Sequence, residues 1–283
     1  MRRLIASLLV VPLLGGIGLT GSEKDLSRKS VAELIDDLTA IDSQSPVINS
    51  GTFYQGFIVD NSPESFHGGV LGIAPPKVPP QMSELVRRGA SGLPELIKHL
   101  DDKRPTKLEV GNKPSGKRVG VDVFMFSYFS DQYDPRARAW PDFGHGTMGK
   151  NFKGAYTVKV ADVCYVLIGQ IVNRRLWAVR YQPSAGLVVN SPIEAPMLVE
   201  KVRSDWGATD AEALRNSLLE DMHVVALPKG VSRAEYTDRF VNPALARLRF
   251  YSPETYRALQ GDDLRKRKAF EVAEARERRE GTR

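Results

Sequence analysis

The chain has 283 residues, a formal net charge of +6, 42% hydrophobic residues and a single cysteine. One thiol excludes an internal disulfide and any thiolate metal cluster, so stability must come from packing; a chain of this length buries enough surface to supply it. A small positive excess spread over the whole length suits loose attraction to anionic surfaces and is no signature of specific nucleic-acid binding.

Arg2 and Arg3 precede an apolar run from Leu4 to Leu14, which gives way to small residues from Gly15 to Ser22. This is the order of a secretory signal peptide, expected over residues 1–22 with cleavage near Thr20 to Ser22. The run is interrupted by Pro12 and falls short of the roughly 20 apolar residues that cross a bilayer. The expectation is an exported protein of the periplasm or the medium, with no membrane span after processing. Lipid anchoring would need a cysteine at the new N-terminus, and the only one is Cys164.

Ser30 and Glu33 form a capping box ahead of Val31, Leu34, Ile35, Leu38 and Ile41, which recur at helical spacing. From Asp42 to Gln81 the chain is rich in Gly, Pro, Ser and Asn, which predicts a long ordered loop with a short strand at Phe53 to Val59. Helical period returns with Met82, Leu85 and Val86, breaks at Gly89, and resumes with Leu93, Leu96, Ile97 and Leu100, predicting a hairpin of two short helices. A turn containing Gly89 and Gly92, followed by Leu93-Pro94-Glu95-Leu96-Ile97, resembles a HEAT-type helical repeat. Pro94 suits a first helical turn, where its missing amide is not needed. The resemblance spans residues 82–102 and implies a HEAT-like, α-solenoid-like hairpin and a binding scaffold; no second copy follows.

Lys103, Arg104, Lys107, Lys113, Lys117 and Arg118 mark a basic linker, read as a solvated loop. Alternating residues around Val121 to Tyr128 and at Tyr156, Val158 and Val160 predict short strands. Val163 to Val172 is apolar on nearly every side, with Cys164, Leu167, Ile168 and Ile171 on one stripe, and reads as a buried helix, with a strand the alternative that its valines and isoleucines leave open. A hairpin is expected around Gln182 to Gly186. Helices then follow at Pro196 to Trp206, after a Thr209–Glu212 cap, and after a Ser232–Glu235 cap with a kink at Pro243. Ser252 and Pro253 start a short one, and Asp262 to Glu280 is almost wholly charged. The block from Tyr156 to Trp206, with Val163-Cys164-Tyr165-Val166-Leu167-Ile168-Gly169-Gln170-Ile171-Val172, is similar to uncharacterised exported bacterial proteins, a resemblance that implies export and no activity.

The expected fold is mainly α with a minor β component. Its regions are a helical segment over 23–110, a mixed then helical segment over 111–260, and a charged helix or tail over 261–283. His67, His99, His145 and His223 form no metal-binding pattern, and no phosphate-binding or dinucleotide loop is complete, so no metal or cofactor is expected. Cys164 reads as a buried core residue rather than a nucleophile, since it lies on an apolar stripe.

Seven aromatics crowd the interval from Val123 to Phe143. Within it Tyr133, Trp140 and Phe143 share a loop with Asp131, Asp134, Arg136, Arg138, Asp142 and His145. Rings beside carboxylates and guanidinium groups suit a polar-ligand or glycan-binding loop, and equally suit a loop pinned to its own protein. Asp131, Tyr133, Asp134, Trp140, Asp142 and His145 are therefore the candidate binding residues. The function expected is a non-enzymatic interaction or scaffold protein of the bacterial envelope, with an unknown protein or envelope polysaccharide as partner. The alternative is a hydrolase of an envelope polymer, using Asp131, Asp134 or Asp142 with His145 as acid and base.

Overall fold

The structure, a computed structural model, describes residues 25–42, 48–49, 56–59, 78–111, 124–126, 155–181, 187–194, 196–222 and 236–261. It is mostly helical with a small β component. In chain order the elements are α1 (Val31–Asp36), β1 (Ile48–Asn49), α2 (Pro80–Arg87), α3 (Leu93–Lys98), β2 (Pro105–Gly111), β3 (Phe124–Phe126), β4 (Ala155–Lys159) and α4 (Val160–Val172). β5 (Val179–Tyr181), β6 (Leu187–Val189), α5 (Pro196–Trp206), α6 (Ala211–Glu220), α7 (Asn242–Tyr251) and a last helix over 253–261 complete it.

α1 begins at the expected box: the Ser30 hydroxyl accepts from the Glu33 amide at 3.2 Å while the Glu33 carboxylate accepts from the Ser30 amide at 2.7 Å. Leu34 and Ile35 are its buried face, continued by Leu38 in the 3-10 turn Asp37–Ala40 and by Ile41 after it. The first-turn amides are thus satisfied locally and the apolar stripe is free to pack.

α2, a tight 3-10 turn over Gly89–Gly92, and α3 form where the repeat-like stretch predicts them, with Pro94 in the first turn of α3. Their packing differs from that of an isolated hairpin. α2 lies on α1 and α4, and α3 on α4, α1 and α5, rather than chiefly on each other. Each helix is too short to bury its stripe on one equally short partner, so both use the longer α4 as their wall.

α4 is the buried helix that its apolar run predicts. All but one of its residues are buried, Gln170 being the exception. A helix apolar on every side needs neighbours on every side, and α2, α3, α6 and β4 all contact it. Gly169 allows the chain to double back directly after it: a Cβ there would meet the Arg174 carbonyl oxygen at 2.6 Å and Leu176 Cβ at 2.9 Å.

β1, β5, β6 and β3 make a four-stranded sheet in that order, with β1 parallel to β5, β5 antiparallel to β6 and β6 parallel to β3. The β5–β6 pair is the expected hairpin. β2 and β4 form a separate antiparallel pair. Over Pro105–Gly111 the basic linker is a strand and not a loop, while Lys113, Lys117 and Arg118 lie outside the described residues. Thr106, Leu108 and Val110 are buried while Lys107 and Glu109 are exposed, so the charges line the wet face of a strand. Nor are residues 56–59 a strand: they form a bend and turn that buries Phe57, Ile58 and Val59.

Two helix details also depart from expectation. The cap of α6 is Asp210, whose carboxylate accepts from the Ala213 amide at 2.8 Å, not Thr209. Where a kink is expected at Pro243, the chain makes a π-turn over Thr237–Val241, closed by the Asn242 amide on the Thr237 carbonyl. Pro243 has no amide to give to the carbonyl four residues back and its ring crowds that carbonyl, which widens the turn before α7. The Ser232–Glu235 cap and the charged segment from Asp262 lie outside the described residues. One cluster of buried side chains runs from Leu34 to Leu248.

Candidate functional site

Asp131, Tyr133, Asp134, Trp140, Asp142 and His145 lie outside the described residues, as do His67 and His223. Among the described residues, chemistry-bearing side chains gather in three polar clusters and one surface aromatic group.

The first cluster closes the N-terminal end of α4. Val160 and Ala161 donate their amides to the carbonyls of Arg104 and Asp102 at 2.9 and 3.1 Å. Asp162, fully buried, accepts from the Lys159 amide at 2.8 Å and from the Tyr156 hydroxyl at 2.7 Å. A carboxylate here faces the positive end of the helix dipole. Burial still pushes the Asp162 carboxyl above the usual range, against the pull of the surrounding donors, the Ser191 hydroxyl first among them. Burial and the adjacent Asp162 charge raise the Tyr156 phenol as well.

The second cluster closes the other end of α4. Asn173 adopts a left-handed conformation, φ 57°, and stops the helix. Arg174 then turns its guanidinium back: Nη1 donates to the Val172 and Asn173 carbonyls at 3.2 and 2.9 Å and to the Asp221 carboxylate at 2.8 Å. Both charged side chains are fully buried, and Asn173 Nδ2 adds a bond to Asp221 at 2.9 Å. Arg247, from α7, donates Nε to the Gln170 carbonyl at 2.6 Å and stacks over the Phe57 ring at 4.7 Å. Its burial lowers the guanidinium to about 10. Two buried cations at the carbonyl end of a buried helix answer both the orphan acceptors and the dipole.

The third cluster is half-exposed. His99 Nδ1 lies 3.0 Å from Asp102 Oδ2, and Nε2 lies 3.3 Å from Glu95 Oε1. Burial alone would raise Asp102, but hydrogen bonds from the Arg104 side chain and amide outweigh it and hold the carboxyl at about 2. Arg104 continues to Asp36 at 2.6 Å, so the cluster ties α1 to the end of α3 and the start of β2. With each ring nitrogen facing a carboxylate, His99 has no nitrogen turned to a substrate.

Cys164 is free and buried, with burial raising its thiol, as the apolar stripe predicts. The surface feature is Phe250, 37% exposed, packed edge-on against Phe57 and Tyr251 and carrying the Arg87 guanidinium 5.9 Å from its ring centre.

Sequence reading missed the buried charges. Asp162 was visible as an acid at the start of an apolar run, and Asn173-Arg174 as a stop at its end, a pattern that reads as helix capping. Asp221 and Arg247 carry no such signal, because their partners lie far away in sequence. Among the described residues no group of three or more His, Cys, Asp or Glu side chains is placed to hold a metal ion, and no helix is long and apolar enough to cross a membrane. No protein-family model, no curated protein and no solved structure matches this chain.

Proposed function

We propose that the chain is an exported, non-enzymatic interaction or scaffold protein of the bacterial envelope. The observation that carries this reading is Phe250, a large aromatic held at the surface by two ring contacts and paired with an arginine. Fixed aromatics beside arginine are the composition of interaction hot spots. The polar clusters support it from the other side: Asp162, Arg174 and Asp221 are sealed in the core, and both nitrogens of His99 are engaged. The segment bearing Asp131, Tyr133, Asp134, Trp140, Asp142 and His145 is a second contact region in this reading, with a protein or an envelope polysaccharide as partner.

The test is to screen purified protein against peptidoglycan fragments and envelope polysaccharides and proteins, scoring binding and product release separately. Binding without product release is the expected result. Product release that disappears in Asp142→Asn overturns the reading in favour of a hydrolase. Export is checked by the intact mass of protein recovered from the envelope or medium, which should start near residue 21 to 23.

A further inference from the structure

We infer that the Phe250–Arg87 pair is a docking site for a partner protein's peptide segment that joins an acidic side chain to an apolar one. The inference rests on the interaction reading above and names the chemistry of the partner at that same surface.

Two observations carry it. Phe250 is immobilised rather than merely exposed: its ring meets Phe57 at 5.7 Å and Tyr251 at 5.2 Å, both near-perpendicular, while 37% of the residue faces solvent. An ordered ring has little rotamer freedom left to lose on binding. Arg87 is the second. Its neighbour Arg88 is turned to its own protein, with Nε in an ion pair 2.9 Å from Glu84 that is not aligned as a hydrogen bond, and Nη2 donating to the carbonyls of Ser27 and Lys29. Arg87 has no ion pair among the described residues, and its guanidinium rests on the Phe250 face. α2 ends at Arg87 and α7 ends one residue after Phe250, so the pair joins two helix ends that Tyr251 already locks together through the Val86 carbonyl. A rigid apolar plate beside a cation with no counter-ion among the described residues is complemented by an apolar side chain next to a carboxylate, which gains a charge-assisted hydrogen bond from Arg87.

The experiment is selection of a random displayed-peptide library on the full chain. The expected peptides place Asp or Glu beside Leu, Ile or Phe. They should bind Phe250→Ala about tenfold more weakly, a typical hot-spot loss, and should lose their preference for acidic residues on Arg87→Glu. Arg87 is half-buried with no ion pair among the described residues, so Arg87→Glu should leave the melting midpoint nearly unchanged; Phe250→Ala loses two ring contacts and should lower it, so binding is compared well below both midpoints. A library that yields no binder, binders without acidic residues, or binders indifferent to both substitutions overturns the inference. So does displacement by polygalacturonate, an acidic polysaccharide, that is equally effective on Phe250→Ala, since that would be charge alone. Indifferent binders would still leave the non-enzymatic reading intact; product release from envelope polymers would remove that reading and leave a confirmed docking site standing.

Discussion

The Tyr251 hydroxyl donates to the Val86 carbonyl at 2.6 Å, and the edge of the same ring lies where a Cβ on Gly89 would come within 2.9 Å. α7 thereby caps the end of α2 and reads the absence of a side chain in the turn that follows. Gly89 also has a positive φ of 57°, a conformation that costs other residues. Gly89→Ala should therefore destabilise by about 1–3 kcal/mol, from strain and overpacking together. Tyr251→Phe should cost about 0.5–1.5 kcal/mol through the lost hydrogen bond. Denaturant midpoints test both; if Gly89→Ala costs the same with or without a Tyr251→Ala background, the ring is not the obstacle.

Asp162 makes stability depend on pH. Its folded carboxyl sits above the ordinary value because it is buried, so the folded state holds the proton more tightly than the unfolded one. The contribution is fully present below the unfolded carboxyl range, about pH 3.9, and is lost as pH rises through the folded value. Asp162→Asn keeps an acceptor for Tyr156 and Lys159 and carries no charge. It should be more stable than the wild type at neutral pH, with the gap closing toward acid. A gap that stays constant from pH 3 to 8 would show that Asp162 titrates alike in both states.

The Arg174–Asp221 pair should behave asymmetrically. Replacing Arg174 by Met leaves a buried carboxylate without its cation and exposes two carbonyls to apolar surroundings, at a cost of about 3–5 kcal/mol. Replacing both partners, with Met at 174 and Leu at 221, removes the stranded charge and should recover much of that loss. The helix-end carbonyls remain uncapped, so recovery should be incomplete. Chemical denaturation of the single and double variants gives the coupling; strict additivity would mean that the two charges do not stabilise each other.

Cys164→Ser should lower stability by about 1–3 kcal/mol, because a hydroxyl replaces a thiol in an apolar site with 0% exposure. Thermal melting checks the size. Loss of a binding or catalytic activity with the melting midpoint unchanged would instead make the thiol a functional group.

The parts legible in the sequence are those written in local pattern. The Ser30–Glu33 box, the two short helices flanking Gly89, the apolar run of α4 and the hairpin before Leu187 each need only a dozen neighbouring residues to be recognised, and each forms. What the two short helices rest on was not legible, since contact with α4 joins residues separated by a long stretch of chain. β2 was hidden for a different reason. Lys103, Arg104 and Lys107 drew attention to charge, while the alternation of Thr106, Leu108 and Val110 carried the structure. Asp210 outcompeted Thr209 as a cap, a difference of one position that composition alone leaves open. The candidate site in the sequence rested on clustering of aromatic and charged residues in a loop, and loops carry no period from which a position in space follows.

A helix sealed on all sides, with its charged plugs at both ends, sets the order in which the molecule can come apart. The amides of α4 are reached by solvent only when the surrounding helices and β4 let go together, so their hydrogen exchange should proceed at the rate of whole-molecule opening. The neighbours of α4 come from residues on both its N-terminal and C-terminal sides. Either flank expressed alone would leave that greasy cylinder uncovered, and a protease cut between them would release fragments prone to stick to one another rather than two working halves.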